Sequence, residues 1–313
     1  MPSTPQSSSP SPPSPSPPPP PLWGELLLLG LLALLWGSSY AFIKVALDSI
    51  PPLSLIAYRV TLAAVILYLV IRLRRESLPR DGATWRMLFL QSFLNATGAW
   101  TILAWGQQFV DSSLAGVLNS TSPLFVFVIS LFLAGGVAFG WRKLLGALLG
   151  FAGVVLIMGV DALSGLGQQV VGQLAALAGA MMYACAAIYG RRFSHLSAPV
   201  TAAATMIWAA VVLLPISLLV DRPWTLSVSA QSLLAATVLA IFCTGLALLL
   251  YFRLIRTLGS LGVASQAYLR AGVSVMLGVV LLGEQVTWMV GLGLAAAIIG
   301  VALINFPQRK KPT

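Results

Sequence analysis

Residues 141–156 read WRKLLGALLGFAGVVL, and residues 288–303 read WMVGLGLAAAIIGVAL, so Trp141, Gly146 and Gly153 stand 147 residues before Trp288, Gly293 and Gly300. The same offset carries Ser113–Leu114 onto Ser260–Leu261, Pro52 onto Pro199 and Lys44 onto Arg191. A fixed period of self-similarity marks a chain built from a repeated structural unit. Few letters are identical, so the argument rests on the pattern of apolar runs and the gaps between them.

Those runs extend over the whole chain. Of 313 residues, 58% are hydrophobic and 8% charged, against about 25% charged in soluble domains. A water-soluble monomer is excluded. A bilayer-spanning helix takes about 20 apolar residues, and ten such runs fall near 26–44, 53–71, 87–106, 114–133, 144–160, 172–190, 199–220, 231–251, 262–282 and 286–306. The fold class expected is an all-α integral membrane protein of ten transmembrane helices, in two repeats of five over 22–160 and 172–306. Residues 1–21 are almost wholly Pro and Ser. That composition cannot bury a core, and predicts a disordered tail, partly polyproline II, with no basic n-region of a signal peptide. Residues 307–313 form a short basic tail.

The basic residues orient the chain. Arg72, Arg74, Arg75, Arg80 and Arg86 lie between runs two and three, Arg142 and Lys143 between four and five, and Arg191 and Arg192 between six and seven. Arg253 and Arg256 fall between eight and nine, and Arg309, Lys310 and Lys311 after ten. With ten spans these fourteen share one side, while the other holds only Lys44 and Arg222. Basic loops stay cytoplasmic, so both termini are expected there, in a multi-pass cell (inner) membrane protein. Five spans per repeat turn the second copy over: Lys44 falls outside and its counterpart Arg191 inside. Inverted repeats of this kind characterise secondary transporters, whose substrate site lies between the halves near the midplane. The net charge of +10 and a pI near 10.2 are thereby explained by insertion and give no reason to expect a nucleic-acid partner.

The order of short motifs resembles the EamA-type unit of the drug/metabolite transporter superfamily, present twice. The first copy shows Leu35-Trp36-Gly37-Ser38-Ser39-Tyr40-Ala41, Pro51-Pro52, Ala57-Tyr58-Arg59 and Ser122-Pro123-Leu124-Phe125. The second shows Tyr251-Phe252-Arg253, Leu258-Gly259, Leu281-Leu282-Gly283-Glu284 and the Gly291–Gly300 stretch. The resemblance covers about 26–306. It implies ten helices, cytoplasmic termini and movement of small metabolites through a central cavity. Two departures stand out: Gly135-Gly136-Val137 replaces the usual Gly-Glu of the first copy, and Ala271 stands where a proline is frequent in the second.

Charged groups inside a membrane are costly and mark functional sites by default. Arg59 lies six residues into run two, about 9 Å deep, and Arg270 eight residues into run nine, about 12 Å deep, at 1.5 Å per residue. Either guanidinium can clamp a carboxylate with two hydrogen bonds. For Arg59 the reading preferred is snorkelling to the outer surface or bonding to loop carbonyls; for Arg270 it is a cavity-facing role. Gln266, Arg270 and Ser274 recur at i, i+4 and i+8 and predict a polar face on run nine. Asn119 and Ser122 precede Pro123, where a kink beside the cavity is expected. Gln91, Asn95 and Gly98 share a face of run three, and Trp36, Tyr40 and Lys44 follow one another at four-residue steps in run one. Tyr183 is the repeat counterpart of Trp36. The substrate-binding candidates are therefore Trp36, Tyr40, Arg59, Asn95, Asn119, Tyr183, Gln266, Arg270 and Ser274. The glycines of the two repeated stretches are assigned to close helix packing, Cys185 and Cys243 to burial, and Glu284 to a loop or cap.

No nucleotide-binding loop, metalloprotease motif or serine-hydrolase elbow occurs. Neither catalytic residues nor cofactor or metal sites are expected. Membrane carboxylates suited to proton coupling are not evident either, since Asp48, Asp111, Asp161 and Asp221 fall in outer gaps and His195 in an inner one. Uniport or exchange is preferred on that ground. The expected function is a secondary transporter of a small organic metabolite, an amino acid or related compound, with export favoured by family analogy and the lipid bilayer and substrate as partners, working as a monomer or homodimer. The competing readings are a membrane-embedded enzyme on lipid-linked substrates and a non-transporting scaffold.

Overall fold

The computed structural model describes residues 21–106, 109, 118–133, 140–158, 170–270, 272–273, 277 and 288–306. Within them every regular element is a helix. α1 spans Leu22–Leu47 and α2 Pro52–Leu73. α3 (Gly82–Ser92) passes through a π-helical turn, Phe93–Thr97, into α4 (Gly98–Gly106). α5 is Ser122–Leu133, α6 Trp141–Met158, α7 Val170–Tyr189 and α8 Ala198–Val220. α9 (Ala230–Ala240) passes through a second π-helical turn, Ile241–Leu246, into α10 (Ala247–Thr257). α11 is Gly259–Ala264 and α12 Trp288–Asn305.

Local chemistry sets the helix starts. Pro52 and Pro199 occupy first-turn positions, where the missing N–H costs nothing. Asp81, Ser197 and Ser229 cap α3, α8 and α9 by accepting from the backbone N–H of Thr84, Val200 and Ser232. Gly259, at φ +74°, makes the tight turn between α10 and α11 that a side chain would strain. Among the described residues, five segments are long and apolar enough to cross a membrane: Leu22–Ser39, Pro52–Leu73, Val170–Phe193, Ala198–Val220 and Ala230–Thr257. Their outward surfaces carry large apolar side chains such as Leu73, Val65, Leu219 and Leu234, the pattern of helices that meet lipid.

The boundaries differ from expectation in two places. The second π-turn and α10 form one continuous segment with α9 as far as Thr257, so Arg253 and Arg256 lie on a helix rather than in a gap. Run four is not one helix bent at Pro123. Helical turns at Leu118–Asn119 stop at Ser120–Thr121, and α5 starts afresh at Ser122. The Thr121 carbonyl accepts from the N–H groups of Leu124 and Phe125, so Pro123 sits in a first turn and displaces no hydrogen bond.

Packing follows the repeat. α6 lies on α12, α2 on α8, α4 on α7 and α1 on α9, while α3 packs on α8 and α9 on α2. A Cβ added at Gly146 would meet the Gly300 carbonyl oxygen at 2.8 Å, and one at Gly153 the Gly293 oxygen at 2.6 Å. Gly146 and Gly293 are counterparts, as are Gly153 and Gly300. The earlier glycine of each helix therefore faces the later glycine of the other, so α6 and α12 run antiparallel with the two contacts equivalent, as across a local two-fold axis. α2 and α8 show the same reciprocity at their ends. Asp221, just past α8, accepts from the backbone N–H and hydroxyl of Ser54 at the start of α2, both at 2.8 Å. Glu76, just past α2, accepts from the hydroxyl of Ser197 at the start of α8. Each carboxylate thus meets the positive end of the neighbouring helix.

Candidate functional site

Helices from both repeats enclose a cavity of about 360 Å³, within the range of small-molecule sites. α1 contributes Trp36 and Ser39, α2 Arg59, and α4 Trp100. Asn119 and Ser122 enter from the break before α5, and Tyr183 from α7. α10 supplies Tyr251, and the segment after α11 supplies Gln266 and Arg270. Leu55, Ile56, Leu103 and Leu239 fill the wall between them.

The second π-turn organises the centre. A π-turn widens the helix by one residue and is frequent at functional sites. Here it presents the Cys243 carbonyl and the Thr244 hydroxyl to α1 and α2. Trp36 Nε1 donates to the Cys243 oxygen at 3.1 Å, and Arg59 Nη2 donates to the same oxygen at 3.4 Å. Arg59 Nε donates to Thr244 Oγ1. The Thr244 hydroxyl in turn donates to the Leu239 carbonyl at 2.9 Å. Arg59 Cζ stands 4.0 Å from the Trp100 ring centroid, a cation–π contact strengthened by desolvation. The expectation that Arg59 snorkels to the surface is therefore corrected: it is 7% exposed and held inward by polar groups of the other repeat.

Arg270 lies at the cavity with its Cζ 5.8 Å from the Trp36 ring, and Trp36 tilts against Tyr251 at 5.5 Å between centroids. Trp36 and Tyr183 are repeat counterparts, as are Asn119 and Gln266, so two pairs of equivalent positions meet at one cavity. Both amides sit at helix breaks, Asn119 before Ser120 and Gln266 after Ser265. Discontinuous helices are where transporter folds expose polar groups to a substrate. Three buried polar atoms on this wall find no hydrogen-bond partner: Tyr251 Oη, Asn119 Oδ1 and Gln266 Oε1.

Of the nine candidates, Trp36, Arg59, Asn119, Tyr183, Gln266 and Arg270 line this cavity. Asn95 does not. It is buried in the first π-turn, and the polar face it shares with Gln91 and Gly98 packs towards α7, where Gln91 Nε2 donates to the Ala186 carbonyl and Gly98 abuts Met182. Tyr40 belongs to α1, but its side chain, like Ser274 and Glu284, lies outside the described residues. Sequence reasoning missed Trp100 and Tyr251 as site residues. Trp100 had a usable signal, since interfacial tryptophans favour span ends and this one lies well inside run three.

Sequence reasoning also passed over Glu25, in the first turn of α1. It is 2% exposed, accepts from Arg253 Nη2 at 2.7 Å and from the Thr257 hydroxyl at 2.8 Å, and ties α1 to α10 away from the cavity wall.

Comparison with known proteins decides the family. The model of the EamA-like transporter family matches residues 22–159 and again 170–306. The chain belongs to this family. EamA-like relatives include the uncharacterized inner membrane transporter YedA of Escherichia coli (strain K12), 29% identical over 91% of this chain and 90% of its own. The uncharacterized transporter YoaV of Bacillus subtilis (strain 168) is 27% identical over 88% of this chain and 96% of its own. A solved crystal structure at 20% identity superimposes with a TM-score of 0.76 over 90% of this chain and 97% of its own, a likeness of fold. The protein is accordingly a multi-pass membrane protein of a transporter family.

Proposed function

We propose that this EamA-like protein is a secondary transporter that moves a small organic metabolite, an amino acid or related compound, by alternating access. Ten transmembrane helices form two inverted five-helix repeats, with both termini cytoplasmic and export the favoured direction. The observation that carries the reading is the reciprocal antiparallel crossing of α6 and α12 at Gly146–Gly300 and Gly153–Gly293. An inverted repeat would place counterpart helices in that relation, and it would build a central cavity from both copies. Rocking of one repeat against the other then exposes the cavity to either side in turn.

Trp36, Arg59, Asn119, Tyr183, Gln266 and Arg270 form the substrate wall, with Trp100 and Tyr251 completing it. Uniport or exchange remains the preferred coupling, because the buried carboxylate Glu25 is already paired with Arg253. Flux of radiolabelled amino acids and related metabolites into proteoliposomes tests the proposal. Saturable flux that is lost in an Arg59→Gln variant of unchanged fold supports it. Absence of flux for every amino acid and common drug tested refutes it, and leaves an enzyme of lipid-linked substrates or a scaffold. Uptake driven by a proton gradient and abolished by Glu284→Gln would overturn the coupling.

A further inference from the structure

We infer that the contact of α10 with α8 and the corner before it, where Ile255 meets Gly190 and Arg256 meets the Leu196 carbonyl, is a shut gate, and that it parts when the gap between α2 and α4 closes. This rests on the alternating-access reading and names the moving contact within it. The 147-residue offset supplies the comparison, since it pairs positions at one end of the bundle with positions at the other. In an inverted repeat, a contact present at both ends belongs to a body that stays intact. A contact present at one end alone marks what moves.

Two contacts occur at both ends. Asp221 on Ser54 and Glu76 on Ser197 clasp α2 to α8 at either end. Glu25 accepts from Arg253 and ties α1 to α10; the counterpart positions, Gly172 and Gly106, also meet, with a Cβ at Gly106 standing 3.2 Å from the Gly172 oxygen. A third contact occurs at one end. α10 packs on α8, and Ala202, Ala203 and Met206 of α8, all fully buried, share an apolar cluster with Leu248, Leu254 and Ile255 of α10. The counterpart helices are α2 and α4. Within the described residues they do not pack on each other in this way. The counterparts of that α8 face, Leu55, Ile56 and Arg59, line the cavity instead, opposite Trp100 and Leu103 of α4, and the two helices meet where Arg59 stacks on Trp100. The corner before α8 repeats the difference. A Cβ at Gly190 would stand 2.9 Å from Ile255 Cδ1, and Arg256 Nη1 donates to the Leu196 carbonyl at 3.4 Å. Ile43, the counterpart of Gly190, lines the cavity.

If gap and gate are linked, they exchange reactivity. Cysteines placed singly at Ile56, in the gap, and at Ala203, its counterpart in the gate, are titrated with a soluble maleimide in the purified full-length protein, each site read from its own peptide by mass spectrometry. Ile56→Cys is expected to react faster than Ala203→Cys by roughly tenfold or more, since a buried thiol must wait for local opening. Gly190→Ile puts into the shut corner the residue that position 43 carries at the cavity, a clash on the scale of core overpacking. It is expected to speed Ala203→Cys and to slow Ile56→Cys, each by roughly tenfold. Ile255→Ala withdraws the side chain opposite Gly190 and is expected to move both sites in the same directions by a smaller factor. Local loosening without a gate would speed Ala203→Cys and leave Ile56→Cys unchanged. That result overturns the inference, as does equal reactivity of the two sites before either second substitution. If Gly190→Ile does not fold, Ile255→Ala decides. Reciprocal reactivity in a protein that gives no flux for any compound tested leaves the gate standing and defeats the transport reading. Flux without reciprocal reactivity defeats the gate alone.

Discussion

Two alanine substitutions on one helix test the crossing on which the repeat arrangement depends. Gly300 and Gly291 both lie in α12. A Cβ at Gly300 would stand 2.6 Å from the Gly146 carbonyl oxygen, 2.7 Å from Gly150 N and 2.8 Å from Gly150 Cα, whereas one at Gly291 would meet nothing within 4 Å. The atoms facing Gly300 are backbone and cannot swing aside. To reach the 3.4 Å at which ordinary contact begins, α6 and α12 must part locally by about 0.8 Å. The gain from replacing glycine by alanine within a helix, about 1 kcal/mol, is common to both variants and cancels in their comparison. What remains is the overpacking cost, about 1–3 kcal/mol. Gly300→Ala is therefore expected to be less stable than Gly291→Ala by that amount. Gly300→Val would be worse again, since its two further methyl groups press on the same backbone. Thermal unfolding of the three purified variants in one detergent, followed by tryptophan fluorescence, gives the comparison. Equal melting temperatures for Gly300→Ala and Gly291→Ala, or a more stable Gly300→Ala, would refute the close crossing.

Three further outcomes follow from other contacts. Tyr251→Phe removes a buried hydroxyl that has no hydrogen-bond partner, so stability should hold or rise slightly while substrate affinity falls, as thermal unfolding and uptake assays together would show. Asp221→Ala leaves the Ser54 backbone N–H at the start of α2 without its acceptor and should destabilise by about 0.5–2 kcal/mol, with Asp221→Asn milder; a melt unchanged by Asp221→Ala would contradict the clasp. Hydrogen bonds from the Thr84 hydroxyl, and then from its backbone N–H, hold the Asp81 carboxyl below its ordinary range. A depressed carboxylate stabilises the folded state above its unfolded pKa, and that contribution is lost as pH falls through the folded value. Acid should therefore loosen the start of α3 in the wild type and not in Asp81→Asn, measured as amide exchange at Thr84.

Much of this molecule was legible in the linear sequence. The 147-residue offset, the apolar runs and the one-sided basic clusters needed no tertiary information, because membrane insertion depends on local hydropathy and loop charge, which are properties of short segments. A place at the cavity was legible for Trp36, Tyr183, Asn119, Gln266 and Arg270, since polar or amphipathic groups inside apolar helices must face one another rather than lipid. The break before α5 was misread as a kink because proline suits a first turn as well as a bend, and only the pairing of Thr121 with Leu124 and Phe125 distinguishes the two. Asn95 was misplaced for a related reason. A polar face within an apolar run suits a helix–helix contact as well as a cavity, and only the donation of Gln91 Nε2 to the Ala186 carbonyl of α7 distinguishes the two.

The partners of Arg59 belong to the tertiary structure alone. Thr244 and Cys243 lie some 185 residues away in sequence, on a helix whose widened turn has no reliable signature in composition. The same is true of Glu25 and Arg253, which look like ordinary helix-end charges until α1 and α10 are brought together. The sequence by itself determined that the chain crosses a membrane as a duplicated bundle of apolar helices, because each span satisfies its own backbone and need only be apolar to enter the bilayer. Which side chains then share a cavity, and that the buried Arg59 of the first copy meets Thr244 and the Cys243 carbonyl of the second, was decided by how the helices pack across the two copies. Those contacts form between residues whose separation in the chain carries no information about their distance in space.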